Sequence, residues 1–200
     1  MEWLLKNSIV PVYYHSDIDE CKRIVDICYD SGIKCFEFVN RGDQALMNFG
    51  ELMKYRNENY PDLKLGIGTI KSWEEAQEYI SLEPDFLVSP FFDEELAIKC
   101  KEHSIVWVPG CATPTEIAKA EKMGYKFVKI FPASSLGFGF LKSIQPIFPE
   151  MKFMVTGGIP VDSHEIERWR NVGAFAVGLG SALFSGATAK EELVQRIKGL

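Results

Sequence analysis

Short runs rich in Val, Ile and Phe alternate eight times with segments of helical period along 200 residues, and that alternation predicts a closed (β/α)8 barrel. Two further observations point the same way. Glycines close several helical segments just before the next apolar run, and the residue types that do chemistry collect where the runs end. An open doubly wound sheet is the structural alternative, because 200 residues is at the small end for a barrel.

The apolar runs fall at 9–14, 34–39, 63–67, 86–88, 105–108, 127–131, 152–155 and 175–177. All are short, as strands buried on both faces are. Helix starts are marked by Asp17, by Ser72 with Glu75 as a capping box, by Asp93 before Glu94-Glu95, and by Thr113-Pro114 with Glu116. Helix ends are marked by Ser31-Gly32, Met123-Gly124 and Val172-Gly173, where a left-handed glycine cap is expected.

With 46% hydrophobic and 25% charged residues, the chain can bury one sizeable core, so residues 1–200 are expected to form a single globular domain. The start, Met1-Glu2-Trp3-Leu4-Leu5-Lys6-Asn7, carries an early acid and lacks both a long apolar stretch and a small-residue cleavage site. Neither a signal peptide nor a membrane span is expected, and the cytoplasm is the expected location. Cysteines at 21, 28, 35, 100 and 111 are odd in number and form no C-x-x-C pair, which predicts reduced packing thiols. His15, His103 and His164 show no metal-ligand spacing, leaving open only a site assembled from distant residues. A net charge of −6 and a pI near 5.2, with no basic stripe, argue against nucleic acid as a partner. An anionic small molecule would need a locally positive pocket.

Lys129 is the most informative residue, because it interrupts the apolar run Phe127-Val128-Lys129-Ile130-Phe131. Taking an ammonium out of water favours the neutral amine, the form that attacks carbonyls, so a Schiff-base lysine is one reading. The other is a lysine whose stem packs while its head reaches the strand end or a carboxylate. Glu37, in Cys35-Phe36-Glu37-Phe38-Val39, alternates with two phenylalanines; if those pack on helices, Glu37 points into the barrel, and Arg41 follows with the same parity. A carboxylate and a lysine in one lumen suit proton transfer around a carbonyl, and they equally suit a plain ion pair of Glu37 with Arg41 or Lys129. Thr156-Gly157-Gly158-Ile159 and Gly178-Leu179-Gly180-Ser181 follow the seventh and eighth runs, where barrels commonly hold phosphate on exposed backbone N–H groups.

Taken together and in order, several motifs resemble the class I 2-keto-3-deoxy-6-phosphogluconate / 4-hydroxy-2-oxoglutarate aldolases over nearly the whole chain. They are Phe36-Glu37-Phe38 with Arg41, Gly66-Ile67-Gly68-Thr69, Val88-Ser89-Pro90, Pro109-Gly110-Cys111-Ala112-Thr113-Pro114-Thr115-Glu116, Lys129-Ile130-Phe131-Pro132-Ala133, Thr156-Gly157-Gly158 and Val177-Gly178-Leu179-Gly180-Ser181. The resemblance implies a cytoplasmic, homotrimeric barrel that needs no metal or cofactor. It would cleave a 2-keto-4-hydroxy acid, 2-keto-3-deoxy-6-phosphogluconate or 4-hydroxy-2-oxoglutarate, to pyruvate and glyceraldehyde 3-phosphate or glyoxylate. Lys129 would form the Schiff base and Glu37 would act as general acid and base; Arg41 and Thr69 would hold the substrate carboxylate. Gly157, Gly158, Gly180 and Ser181 match the phosphate-binding positions, while Pro90 and Thr156 match residues lining the pocket.

Three positions depart from the resemblance. Tyr14 stands where an arginine is frequent, Val39 where threonine is, and Phe91 where glycine is. Tyr14 and Phe91 are expected to narrow the pocket mouth and make it less polar, or else to pack on one another or on a neighbouring subunit. Two alternatives to the aldolase are a catalytically silent relative that binds a keto acid or sugar phosphate, and another phosphate-binding barrel enzyme that gives Lys129 no special part.

Overall fold

The computed structural model describes residues 5–6, 8–186 and 189–200; residues 1–4 and 7 of the stretch read above for a leader lie outside the described residues. The strands are β1 (Ile9–Tyr13), β2 (Cys35–Val39), β3 (Lys64–Gly68), β4 (Leu87–Val88), β5 (Trp107–Val108), β6 (Gly110–Cys111), β7 (Phe127–Ile130), β8 (Lys152–Thr156) and β9 (Ala174–Leu179). The helices are α1 (Ile18–Asp30), α2 (Ala45–Asn59), α3 (Trp73–Ile80), α4 (Glu94–Glu102), α5 (Pro114–Lys122), α6 (Ala133–Ile144), α7 (Ser163–Asn171), α8 (Ser181–Phe184) and α9 (Lys190–Lys198). Among the described residues no helix is long and apolar enough to cross a membrane.

All strand pairs are parallel, in the order β5-β4-β3-β2-β1-β9-β8-β7-β6. The two ends of that order are consecutive in the chain. β5 and β6 are the halves of one strand divided at Pro109, the first half pairing with β4 and the second with β7. Pro109 has no N–H to give a ladder, but its carbonyl accepts from the Lys129 N–H at 2.8 Å, while the Val108 carbonyl accepts from Ser89 at 3.2 Å. The sheet therefore closes into the expected eight-stranded barrel. The fifth strand does not end at 108 as the sequence suggested, because the proline hands the chain from one neighbour to the other instead of stopping it.

Inside the barrel, strand alternation stacks side chains in layers. Val10, Cys35, Phe86, Val88, Val108, Phe127, Met154 and Ala176 form a buried plug of the lumen. The outward faces, with Phe36, Phe38, Leu65, Ile67, Val128, Ile130 and Val155, pack against the helices in a second continuous cluster. Each fully buried aromatic or branched side chain contributes roughly 1.5–3 kcal/mol from leaving water. The plug leaves one end for chemistry, since the lumen positions nearer the strands' carboxyl ends include Glu37, Lys129 and Thr156, with glycines at 68 and 178 beside them.

The helix signals behave as their chemistry requires. Asp17, Ser72, Asp93, Thr113 and Asp162 each accept a first-turn N–H. Thr113 and Glu116 complete a capping box. Ser72 and Glu75 do not, because the Glu75 carboxylate takes the Lys71 N–H at 2.8 Å rather than that of Ser72. Gly32 (φ 93°), Gly124 (φ 75°) and Gly173 (φ 110°) are left-handed as expected of helix-ending glycines.

Candidate active site

A cavity of about 660 Å³ opens among the carboxyl ends of the strands, and its lining includes Lys129, Glu37, Arg41, Thr69, Pro90, Thr156, Gly157, Gly158, Gly180, Ser181 and Tyr14. Lys129 and Glu37, 92 positions apart in sequence, thus face one space. Glu37 comes from the middle of β2, with Phe36 and Phe38 buried against helices on the opposite face. Lys129 comes from β7, where its backbone pairs with Gly110 and Met154.

The Lys129 Nζ lies 3.5 Å from Glu37 Oε1, with the two side chains only 6% and 1% exposed. The pair is incompletely satisfied: neither carboxylate oxygen of Glu37 has a hydrogen-bond partner among the described residues. A buried carboxylate in that condition is costly, and the usual reasons for keeping one are chemical. The Lys129 Nζ also stands 5.2 Å from the centroid of Phe131, over the ring face. Beside them the Thr156 hydroxyl is buried without a partner, and it too lines the cavity.

Arg41 is exposed at the mouth, with no ion pair among the described residues, so its guanidinium is available to an anion. Thr69 follows β3 with φ 65°, a left-handed conformation that a β-branched residue adopts at a cost of about 1–3 kcal/mol. Strain of that kind tends to cluster at functional sites, and here it lies at the cavity wall. At the far side, Gly157 (φ 101°) and Gly158 (φ 71°) follow β8, and Gly180 and Ser181 open α8. These four come together as the spacing suggested.

Tyr14 lines the mouth, its ring edge-on to Phe38 at 5.7 Å between centroids. Its hydroxyl sits 2.7 Å from where a Cβ on Gly42 would be, which is why the left-handed turn after Arg41 needs a glycine. Phe91 is a correction. It is absent from the cavity wall and 44% exposed, because Val88 and Pro90 take the inward positions at the end of β4 and the next residue turns outward. Val39 does line the cavity.

Sequence reasoning did not single out Tyr13 and Phe184, whose rings meet at 4.6 Å on the cavity wall. Burial, reinforced by the Glu20 carboxylate, pushes the Tyr13 phenol well above its usual range and keeps it neutral. The sequence motifs contain Gly68 and Gly178 without giving either a part of its own; their missing side chains make room for Glu37 and Thr156. All five cysteines are free and buried; burial pushes Cys21 up to about 11 and Cys100 up to about 12. Among the described residues no group of three or more His, Cys, Asp or Glu is placed to hold a metal ion.

Known proteins with this arrangement are consistent in kind. A family model described as KDPG and KHG aldolase matches residues 1–200. The 2-dehydro-3-deoxy-phosphogluconate aldolase of Treponema pallidum is 28% identical over 163 residues, 81% of this chain and 76% of that protein. The 2-dehydro-3-deoxy-6-phosphogalactonate aldolase of Escherichia coli is 24% identical over 198 residues, 98% of this chain and 94% of that protein. Among solved structures, the KDPG aldolase of Legionella pneumophila, with pyruvate captured at low pH as a covalent carbinolamine intermediate, superposes with a TM-score of 0.85 at 25% identity, covering 96% of this chain and 93% of the other. With a lysine and a glutamate facing each other in the lumen of a closed barrel and a family match along its full length, the chain belongs to the KDPG and KHG aldolase family, a family of carbon–carbon lyases.

Proposed function

We propose that the protein is a class I aldolase in which Lys129 forms a Schiff base with the C2 carbonyl of a 2-keto-4-hydroxy acid and Glu37 moves the protons. The observation that carries this reading is the buried Lys129–Glu37 pair, 3.5 Å apart, whose carboxylate oxygens accept no hydrogen bond and which faces the cavity. An amine there attacks C2 to give a carbinolamine, the species named for the Legionella relative. Loss of water leaves an iminium that withdraws electrons from the C3–C4 bond. Glu37 takes the proton of the C4 hydroxyl as that bond breaks, the aldehyde departs, and an enamine remains. The same carboxyl then returns the proton to C3, and water hydrolyses the iminium to release pyruvate and restore the amine.

Arg41 and Thr69 hold the C1 carboxylate and so fix C2 against Lys129. Gly157, Gly158, Gly180 and Ser181 receive the far end of the substrate through backbone N–H groups and the hydroxyl, while Pro90, Thr156 and Tyr14 shape the wall between. The substrates that fit this reading are 2-keto-3-deoxy-6-phosphogluconate, released as pyruvate and glyceraldehyde 3-phosphate, and 4-hydroxy-2-oxoglutarate, released as pyruvate and glyoxylate. Residues 1–200 act as one catalytic domain in a cytoplasmic homotrimer on the same reading, and exposed apolar side chains such as Met47 and Phe91 are candidates for burial between copies.

The test is pyruvate release from each acid, followed through lactate dehydrogenase and NADH in the presence of a chelator. Turnover on the order of 1–10³ s⁻¹ with at least one of them is expected. A folded protein that releases pyruvate from neither would contradict the substrate reading, and light scattering that finds a stable monomer would contradict the trimer.

A further inference from the structure

Glycines within strands can be asked what a Cβ would strike, and the answers here divide into two kinds. A Cβ on Gly66 would meet the Phe86 ring at 2.4 Å, and one on Gly110 would meet the Pro90 backbone at 2.3 Å, so both are glycine because the barrel packs through them. Gly68 is different. The atoms its Cβ would meet are Oε1, Cδ and Cγ of Glu37, at 1.9, 2.6 and 2.7 Å. Its φ is outside the left-handed region, its carbonyl accepts from the Asn40 N–H at 2.9 Å, and it pairs with Val39 in ordinary parallel register. Alanine would suit that backbone. The end of a flexible side chain can move aside, so the barrel does not need glycine at 68; the position of Glu37 does.

We infer that Gly68 is a positioning residue of the reaction, its missing side chain forming the slot that seats the Glu37 carboxylate beside Lys129. The inference rests on the reading of Glu37 as the proton-transfer group. Its consequence is a separation of steps. Filling the slot displaces the carboxylate while leaving the Lys129 amine and the carboxylate-holding Arg41 and Thr69 in place, so imine formation survives and proton transfer at C3 does not.

The experiment compares the wild-type chain with Gly68→Ala and with the double variant Gly68→Ala/Glu37→Asp. Pyruvate adduct on Lys129 is read by borohydride reduction and mass, exchange of the pyruvate methyl protons in D₂O by NMR, and the fold by thermal unfolding. Gly68→Ala is expected to trap pyruvate and unfold within a few degrees of wild type, yet to exchange about 100-fold more slowly, the size of effect that a misplacement near 1 Å produces. The shorter aspartate relieves the collision, so the double variant is expected to exchange about tenfold faster than Gly68→Ala alone, a coupling that independent sites do not show. Wild-type exchange in Gly68→Ala would overturn the inference. So would loss of the adduct or of the fold in that variant, since either makes the glycine structural. A wild-type chain that traps no pyruvate removes the aldolase reading and this inference with it, a result read on a different sample.

Discussion

The two ends of the barrel each bury an ion pair, and they are built on opposite principles. At the amino end, Arg56 and Asp85 meet at 2.9 Å, and the second Asp85 oxygen takes Lys64 at 2.9 Å. The Leu65 N–H also donates to Asp85 at 3.0 Å, and Arg56 donates to the Leu63 carbonyl at 3.0 Å, leaving only its Nε without a partner. At the carboxyl end, Lys129 and Glu37 stand 3.5 Å apart, and neither oxygen of Glu37 has a hydrogen-bond partner among the described residues. A buried charge whose hydrogen bonds are completed holds elements together; one left incomplete is held by the fold for another purpose. Asp85 ties β3 to the start of β4 and to α2, whereas Glu37 makes only the long contact to Lys129.

That contrast can be broken or sharpened by substitution. The largest effect is expected from Lys129→Met, which removes the nucleophile: activity should fall by at least about 10⁴-fold, as loss of a nucleophile does elsewhere. Glu37→Gln should reduce turnover by about 10²–10⁴-fold, the usual worth of a general acid–base, while borohydride still traps pyruvate. Because the Lys129–Glu37 contact is long and the carboxylate accepts no hydrogen bond from the described residues, Glu37→Gln should lower the urea unfolding midpoint less than Asp85→Ala does.

Asp85→Ala should do the reverse. Leaving Arg56 buried without its partner is expected to cost about 3–5 kcal/mol in urea unfolding, with the folded fraction turning over as wild type does. The smallest effect is expected from Arg41→Ala, which surrenders a charge-assisted hydrogen bond worth roughly 1.5–3 kcal/mol, seen as a rise of about ten- to a hundredfold in KM for the keto acid with a smaller change in kcat. If Asp85→Ala abolished turnover in folded protein, or Glu37→Gln collapsed the fold, the division of labour between the two ends would be wrong.

Much of this arrangement was legible in the chain because strand alternation is a strict rule. An odd polar residue between buried neighbours announces which side it faces, and Glu37 and Lys129 both follow that rule into one cavity. Placing Phe91 at the pocket mouth reads a motif position without its parity: Pro90 already occupies the inward place, and of the expectations for Phe91 the exposed ring suits packing on a neighbouring subunit. The fifth run reads as ending at 108, where the apolar residues stop, although the Pro109 carbonyl still joins the ladder. Gly68 lies within a motif, but its part could not be read. A glycine reports a void, and what fills the void belongs to a neighbouring strand whose register the sequence does not print.

The central claim is that Lys129 is the covalent centre, and borohydride reduction in the presence of pyruvate, followed by intact mass and peptide mapping, tests it most directly. A single reduced pyruvate adduct on the peptide carrying Lys129 is predicted. No adduct on folded protein, or an adduct on another lysine, would contradict the account.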